Sequence, residues 1–86
     1  MTYSVIWKST AIQQLGRIAA AAADPIQIDR AAAFIDYMLR RAPRDMGESR
    51  TPGFRIWYEA VLGVYYQINE AELRVDVLFA APARRH

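Results

Sequence analysis

The stretch RTPGFRIWYEAVLGVYYQINEAELRVDVLFA, residues 50–80, decides the fold. Read in twos, Phe54, Ile56 and Tyr58 alternate with Arg55, Trp57 and Glu59. Leu62, Val64, Tyr66 and Ile68 then alternate with Gly63, Tyr65 and Gln67, and Leu73, Val75, Val77 and Phe79 with Arg74, Asp76, Leu78 and Ala80. Period-two alternation rich in β-branched and aromatic residues, broken by short polar turns, predicts three antiparallel strands in a meander with one buried face. Keeping inward residues opposite one another pairs Ile56 with Val64 and Phe54 with Tyr66 around a loop at Glu59–Val61. The same rule pairs Tyr66 with Val75 and Val64 with Val77 around Asn69–Glu72. The other face then carries Arg55, Tyr65 and Asp76 in one row, with Gln67 opposite Arg74 and Trp57 beside Gly63 and Leu78. A solvent-facing sheet with those side chains is the expected site of action.

Upstream, Tyr3, Val5 and Trp7 alternate with Ser4, Ile6 and Lys8 and predict a first short strand whose neighbour the pattern does not fix. Ser9 or Thr10 offers a helix cap. Ile12, Leu15, Ala19 and Ala22, with Ile18 alongside, form an apolar helical stripe. Asp24-Pro25 breaks that helix and starts a second, with aspartate as cap and proline in the first turn. Ile28, Ala31, Ala32, Ile35, Met38 and Leu39 are its expected buried stripe, flanked by Phe34, and Asp36 with Arg40 is an i,i+4 pair. Pro43 stops it, and Ala42–Gly53 reads as a long loop of a length more often functional than short ones. The expectation is a two-layer α+β domain over residues 1–86, β-α-α-β-β-β, with a helical hairpin on one face of a four-stranded, mainly antiparallel sheet.

Composition narrows the function classes. Eighty-six residues at 53% hydrophobic content suit one small domain. No apolar run approaches the ~20 residues that span a bilayer, and the N-terminus lacks a basic-then-apolar leader, so no membrane partner and a cytoplasmic location are expected. Cysteine is absent and His86 is the one histidine, which argues against a thiolate or histidine-rich metal centre. No cofactor is expected. Ten of the eleven basic residues are arginine. Two readings stand: codon bias, which abundant alanine also suggests, or recognition of phosphate by planar guanidinium groups.

The chain resembles the RelE/ParE superfamily, the small toxins of bacterial type II toxin–antitoxin pairs, over nearly its whole length. The resemblance rests on Tyr3-x-Val5-x-Trp7 ahead of a helix with Leu15 and Ile18, and on Ala31–Leu39 followed by Pro43. It continues through Gly47-Glu48-x-Arg50, Gly53-Phe54-Arg55 and Leu62-Gly63-Val64-Tyr65-Tyr66-x-Ile68. It implies a toxin neutralised by a cognate antitoxin peptide. Some members cleave messenger RNA on the ribosome without metal; others poison DNA gyrase and are not nucleases. The leading expectation is the first, a metal-independent endoribonuclease inhibiting translation. The alternatives are a gyrase inhibitor and a non-toxic antitoxin-binding domain.

Cleaving members use basic residues on the open sheet face and an acid–base group near the C-terminus. The matching positions are Arg50, Arg55, Arg74 and His86. Attack of a 2′-hydroxyl on phosphorus needs a base, an acid and cations to offset the developing charge. Arginines suit the last role, and His86 has a suitable unperturbed pKa for the first two. Trp57 or Tyr65 could stack on a base, and Arg84 and Arg85 could contact phosphate. Structural roles compete at each position. Arg55 and Arg74 could keep the face soluble by pairing with Asp76 or Gln67, Arg50 could bond Glu48 or Asp45, and Trp57 could anchor an antitoxin. Arg84, Arg85 and His86 could form a solvated end. The chain also departs from the nuclease pattern, lacking its accompanying lysines and a tyrosine after the last strand.

Overall fold

A computed structural model describes residues 2–83. β1 (Ser4–Trp7) leads into α1 (Ser9–Ala21) and α2 (Pro25–Arg41), followed by a single 3-10 turn at Pro43–Asp45. Four strands follow: β2 (Glu48–Ser49), β3 (Phe54–Glu59), β4 (Leu62–Asn69) and β5 (Arg74–Pro82). They form one five-stranded sheet in the order β1-β5-β4-β3-β2, with β1 parallel to β5 and the other pairs antiparallel. The α+β, two-layer expectation therefore holds, with one strand more than foreseen. The added strand is short: Glu48 and Ser49 pair with Ile56 and Arg55 inside what the sequence presents as loop.

The two helices begin differently. The Asp24 carboxylate accepts a bond from the Ile26 amide at 3.1 Å, and Pro25 occupies the first turn, as expected of α2. α1 differs, since its capping position is Lys8 and no side chain caps it. Its buried residue is Ala11, with Leu15 and Ile18 packed beside it, while Ile12 is 55% exposed. α2 buries Ala31, Ile35 and Leu39 in one cluster with Val64, Tyr66, Val75 and Val77 of the sheet, and Ile28 is buried on the same side of the helix. Those spacings return to one side of a helix and one side of each strand, so a single apolar layer is enclosed between them.

The sheet register departs from the expected one at three places. Ala60 adopts φ 53°, closing β3 to β4 with a two-residue turn that sets Glu59 opposite Leu62. Trp57 therefore pairs with Val64, Arg55 with Tyr66 and Ile56 with Tyr65. Relative to the expected register β3 has slipped by one residue, which exchanges its faces. Phe54, Ile56 and Tyr58 consequently stand on the open side, and Tyr58 is 59% exposed instead of buried. In β5, Tyr65 pairs with Phe79 while Tyr66 pairs with Val77, leaving Leu78 as the extra residue of a bulge. Beyond it the parity of the strand inverts: Ala80 is buried and Phe79 is exposed. The remaining pairs are Gln67 with Asp76, Ile68 with Val75 and Asn69 with Arg74. The expected partners Val75 for Tyr66, Val77 for Val64 and Arg74 for Gln67 are therefore corrected to Val77, Ala80 and Asp76. The turn after β4 lies one residue later than expected, at Glu70–Leu73, so before the bulge the strand is displaced by two residues, which keeps its faces.

Gly47 holds the approach to β2 in place. Its φ is 62°, and a Cβ there would overlap the Ile56 carbonyl and lie 2.7 Å from the Trp57 Cβ. Only a residue without a side chain can combine that backbone with so close an approach.

Candidate interaction face of the sheet

The side of the sheet away from the helices presents a band of aromatic rings. Phe54 of β3 stacks on Tyr65 of β4 with centroids 5.7 Å apart, and Tyr65 stacks on Phe79 of β5 at 6.1 Å. Three adjacent strands thus supply one ring each. The band exists because of the two irregularities: the Ala60 turn brings Phe54 to this face, and the Leu78 bulge brings Phe79. Tyr58 lies over Gly63, so closely that a Cβ on Gly63 would sit 2.6 Å from the ring.

Charged groups frame the band, each already bonded to a partner of opposite sign. Arg74 Nε lies 3.2 Å from Asp76, its Nη1 is bonded to Glu72, and Lys8 Nζ lies 3.9 Å from Asp76. Asp76 is 6% exposed, so the two cations are what makes its burial tolerable. Arg50 Nη1 lies 3.1 Å from Glu48. These cations neutralise this chain's own carboxylates, which reduces the positive field available to an incoming phosphate.

The candidate arginines do not converge. Arg55 stands on the helix side, in register with buried Tyr66, and its Nε donates to the Met46 carbonyl at 2.7 Å and its Nη2 to the Gly47 carbonyl at 3.1 Å. Arg74 is on the open side. The expected row of Arg55, Tyr65 and Asp76 is thus corrected to Arg55, Tyr66 and Val77: the slip at the Ala60 turn moves Arg55, and the displaced β4–β5 register sets Asp76 opposite Gln67. Trp57 is corrected in the same way. It is 9% exposed and meets Phe34 of α2 at 6.2 Å between centroids, so it is a core residue rather than an open platform. Tyr65 is on the open face as expected, and Arg50 carries its foreseen structural bond to Glu48. Arg84, Arg85 and His86 lie outside the described residues.

Behind Arg55 the loop before β2 is tied down. The Tyr66 hydroxyl points to the Pro43 carbonyl at 2.8 Å and the Met46 carbonyl at 3.0 Å. Burial pushes this phenol up to about 12, and nearby Arg55 pulls the other way with less effect. Tyr3 donates to the Glu70 carboxylate at 2.9 Å, and its phenol is raised by burial and then by that carboxylate. Beside these anchors a hollow of about 240 Å³ is lined by Arg44, Ser49, Gly53, Arg55 and Ile68.

Phe54, Ile56, Tyr58 and Phe79 are members of the face that the alternation pattern placed inward, and Lys8 is one that it assigned to no face. The short turn at Ala60 and the extra residue at Leu78 carried the signal, and both are invisible to a strict period of two.

No protein-family model and no curated protein matches the chain. Solved structures do. The RelBE2 toxin–antitoxin complex from Mycobacterium tuberculosis contains a chain that superposes with TM-score 0.78 at 20% identity, over 96% of this chain and 100% of that one. A chain of the chromosomal ParDE system from P. aeruginosa gives 0.69 at 15% identity, over 96% and 98%. The isolated E. coli RelE toxin gives 0.63 at 10% identity, over 98% and 87%. Over almost its whole length the protein has the fold shared by RelE and ParE toxins.

Proposed function

We infer that this chain is the toxin of a type II toxin–antitoxin pair, held inactive by a cognate antitoxin and acting on its target through the open sheet face. The observation that supports this reading is the agreement of fold along almost the whole chain with toxins of both RelE and ParE complexes. The aromatic band supplies the contact surface. Rings on rigid strands offer large area with little side-chain freedom to lose, which is what anchors a macromolecular contact.

The described residues favour inhibition by binding, the mode of a gyrase poison, over RNA cleavage. Arg50 and Arg74 are committed to Glu48, Glu72 and Asp76, and Arg55 is committed to loop carbonyls on the other side of the sheet. A phosphorane would meet no converging set of free cations among them. The second reading is ribosome-dependent mRNA cleavage, a translation-inhibiting endoribonuclease without metal. It is favoured by the Phe54–Tyr65–Phe79 band, since stacked rings suit unpaired bases. In that reading His86 would carry proton transfer, with Arg84 and Arg85 on the phosphates.

Brief induction of the chain alone, followed by gyrase supercoiling and ribosome profiling on the same cells, separates the readings. Growth arrest relieved by a neighbouring antitoxin gene, with supercoiling impaired and message intact, is the expected result. Cuts in ribosome-bound message would instead place the chain with the cleaving toxins. Normal growth at high soluble expression would remove the toxin reading.

A further inference from the structure

Only two basic residues among the described ones are not exposed, and their charges are met differently. Arg74 is bonded to Glu72 and Asp76, whereas Arg55 has no carboxylate partner among the described residues. Its Nε and Nη2 hold the neutral carbonyls of Met46 and Gly47, and its Nη1 bonds no described group. A half-buried guanidinium without a counter-charge is costly, and an anion from outside removes that cost. Arg17, Arg30 and Arg41 have no carboxylate there either, but they are exposed and water solvates them.

Arg55 lines the hollow of about 240 Å³ at the end of the sheet. Ser49 pairs with Arg55 across the β2–β3 ladder, so both side chains leave the same face with Cβ atoms about 5 Å apart. Arg44, on the 3-10 turn, adds a second guanidinium to the lining, and Gly53 and Ile68 add apolar surface. Glu70 lines the hollow too, but its carboxylate is already engaged. It accepts the Tyr3 hydroxyl at 2.9 Å and lies 3.5 Å from Arg44 Nε. One carboxylate faces two guanidinium groups, which leaves a positive charge unbalanced.

We propose that this hollow binds a small phosphomonoester, its phosphoryl oxygens on Arg55 Nη1, the Ser49 hydroxyl and Arg44, and its carbon part against Gly53 and Ile68. The donors decide the class of ligand. They come from β2, β3 and the 3-10 turn, and so reach a central atom from three directions. A phosphoryl group is tetrahedral and offers three oxygens to such a set, where a planar carboxylate offers two. A phosphodiester inside a nucleic acid continues on both sides of its phosphorus. A monoester continues on one, and the loop bonded to Arg55 at Met46 and Gly47 walls the other. Arg44 has a side chain 71% exposed, so it can turn from Glu70 toward the ligand without disturbing the core. The hollow lies off the aromatic band, since Arg55 stands on the helix side of the sheet. The inference does not depend on the toxin reading.

NMR titration of the full-length chain with inorganic phosphate and with ribose 5-phosphate, at constant ionic strength, tests the site. Both should give saturable shifts in the amides of Ser49, Gly53 and Ile68 and in the Arg55 side-chain Nε–H. Both should also raise the melting temperature, as a ligand of the folded state does. Acetate, ribose and a dinucleotide with only an internal phosphodiester should move none of these signals. Arg44→Gln should weaken binding at least about tenfold, the worth of one charge-assisted bond. Ser49→Asp, which sets a carboxylate beside Arg55, should abolish it. Ser49 and Arg44 are exposed, so both variants should keep the wild-type amide spectrum away from the hollow. Shifts spread evenly over the exposed arginines, an equal response to acetate, or undiminished binding in either folded variant would overturn the proposal.

Discussion

Arg55 donates its Nε to the carbonyl of Met46 at 2.7 Å, from the side of the sheet opposite to Arg74. One strand, β4, and three register positions separate the two arginines, and each has its own structural task. Arg55→Ala frees the loop before β2, and Arg74→Ala leaves nearly buried Asp76 with Lys8 alone at 3.9 Å. Each should cost about 1–3 kcal/mol, the penalty for an unsatisfied buried polar group. In a double-mutant cycle the two losses should add to within about 0.5 kcal/mol, as for independent sites. Coupling well above that in chemical denaturation would mean that the side chains meet.

The phenol of Tyr66 gives the fold a limit at alkaline pH. Its value is pushed up to about 12 in the folded chain, against an ordinary 10.0. The folded state therefore holds this proton more tightly than the unfolded state does. The associated stability is fully present below pH 10 and is lost as pH rises from about 10 toward 12, at up to about 1.4 kcal/mol per unit. Tyr3, also raised, acts in the same sense. Tyr66→Phe should melt lower at pH 7 by about 1–3 kcal/mol, because the buried Pro43 carbonyl loses its donor. It should also lose less stability than wild type between pH 9 and 11. Parallel pH profiles for the two proteins would show that Tyr66 does not carry this dependence.

Gly47→Ala should destabilise the chain by more than about 2 kcal/mol, since an added methyl meets backbone that cannot move aside. Gly16→Ala, in α1 with nothing within 4 Å of the new methyl, is the control and should stabilise by roughly 0.5–1 kcal/mol. Thermal melts that rank the two substitutions the other way would overturn the account of the turn before β2.

Much of the architecture was legible because its signals are redundant. α2 is marked by Asp24, by Pro25 and by apolar residues returning at Ile28, Ala31, Ile35 and Leu39, and all agree. β4 is equally plain, because Leu62, Val64 and Tyr66 bury while Tyr65 and Gln67 face outward. β3 was not, since its alternation sets Phe54, Ile56 and Tyr58 against Arg55, Trp57 and Glu59 and so points the first three inward. The two-residue Ala60 turn overrides that polarity, because it fixes the register whichever face is the more apolar. The Leu78 bulge escaped because Leu78 and Phe79 are both apolar, and exchanging them leaves no trace in the pattern. The candidate site inherited those errors. Tyr65, on the well-determined strand, was placed correctly; Arg55 and Trp57, on the strand that the turn displaces, were not.

Val64 pairs with both Trp57 and Ala80 at the centre of the enclosed layer and is 1% exposed. Val64→Asp should unfold the domain, since an unpaired carboxylate there costs several kcal/mol. Gln67→Ala, on the open side, should change stability by no more than about 0.5 kcal/mol. Circular dichroism melts giving similar losses for both would place the buried face wrongly.

The central claim is that the open face, through its aromatic band, is where this chain meets its target. Tyr65→Ala removes the ring that touches both Phe54 and Phe79 and leaves the helix-side core intact. The most direct measurement is growth after induction of Tyr65→Ala beside wild type at matched soluble levels, with antitoxin binding confirming that the variant is folded. Wild type should arrest growth and the folded variant should lose most of that effect. Full arrest by a folded Tyr65→Ala would contradict the claim.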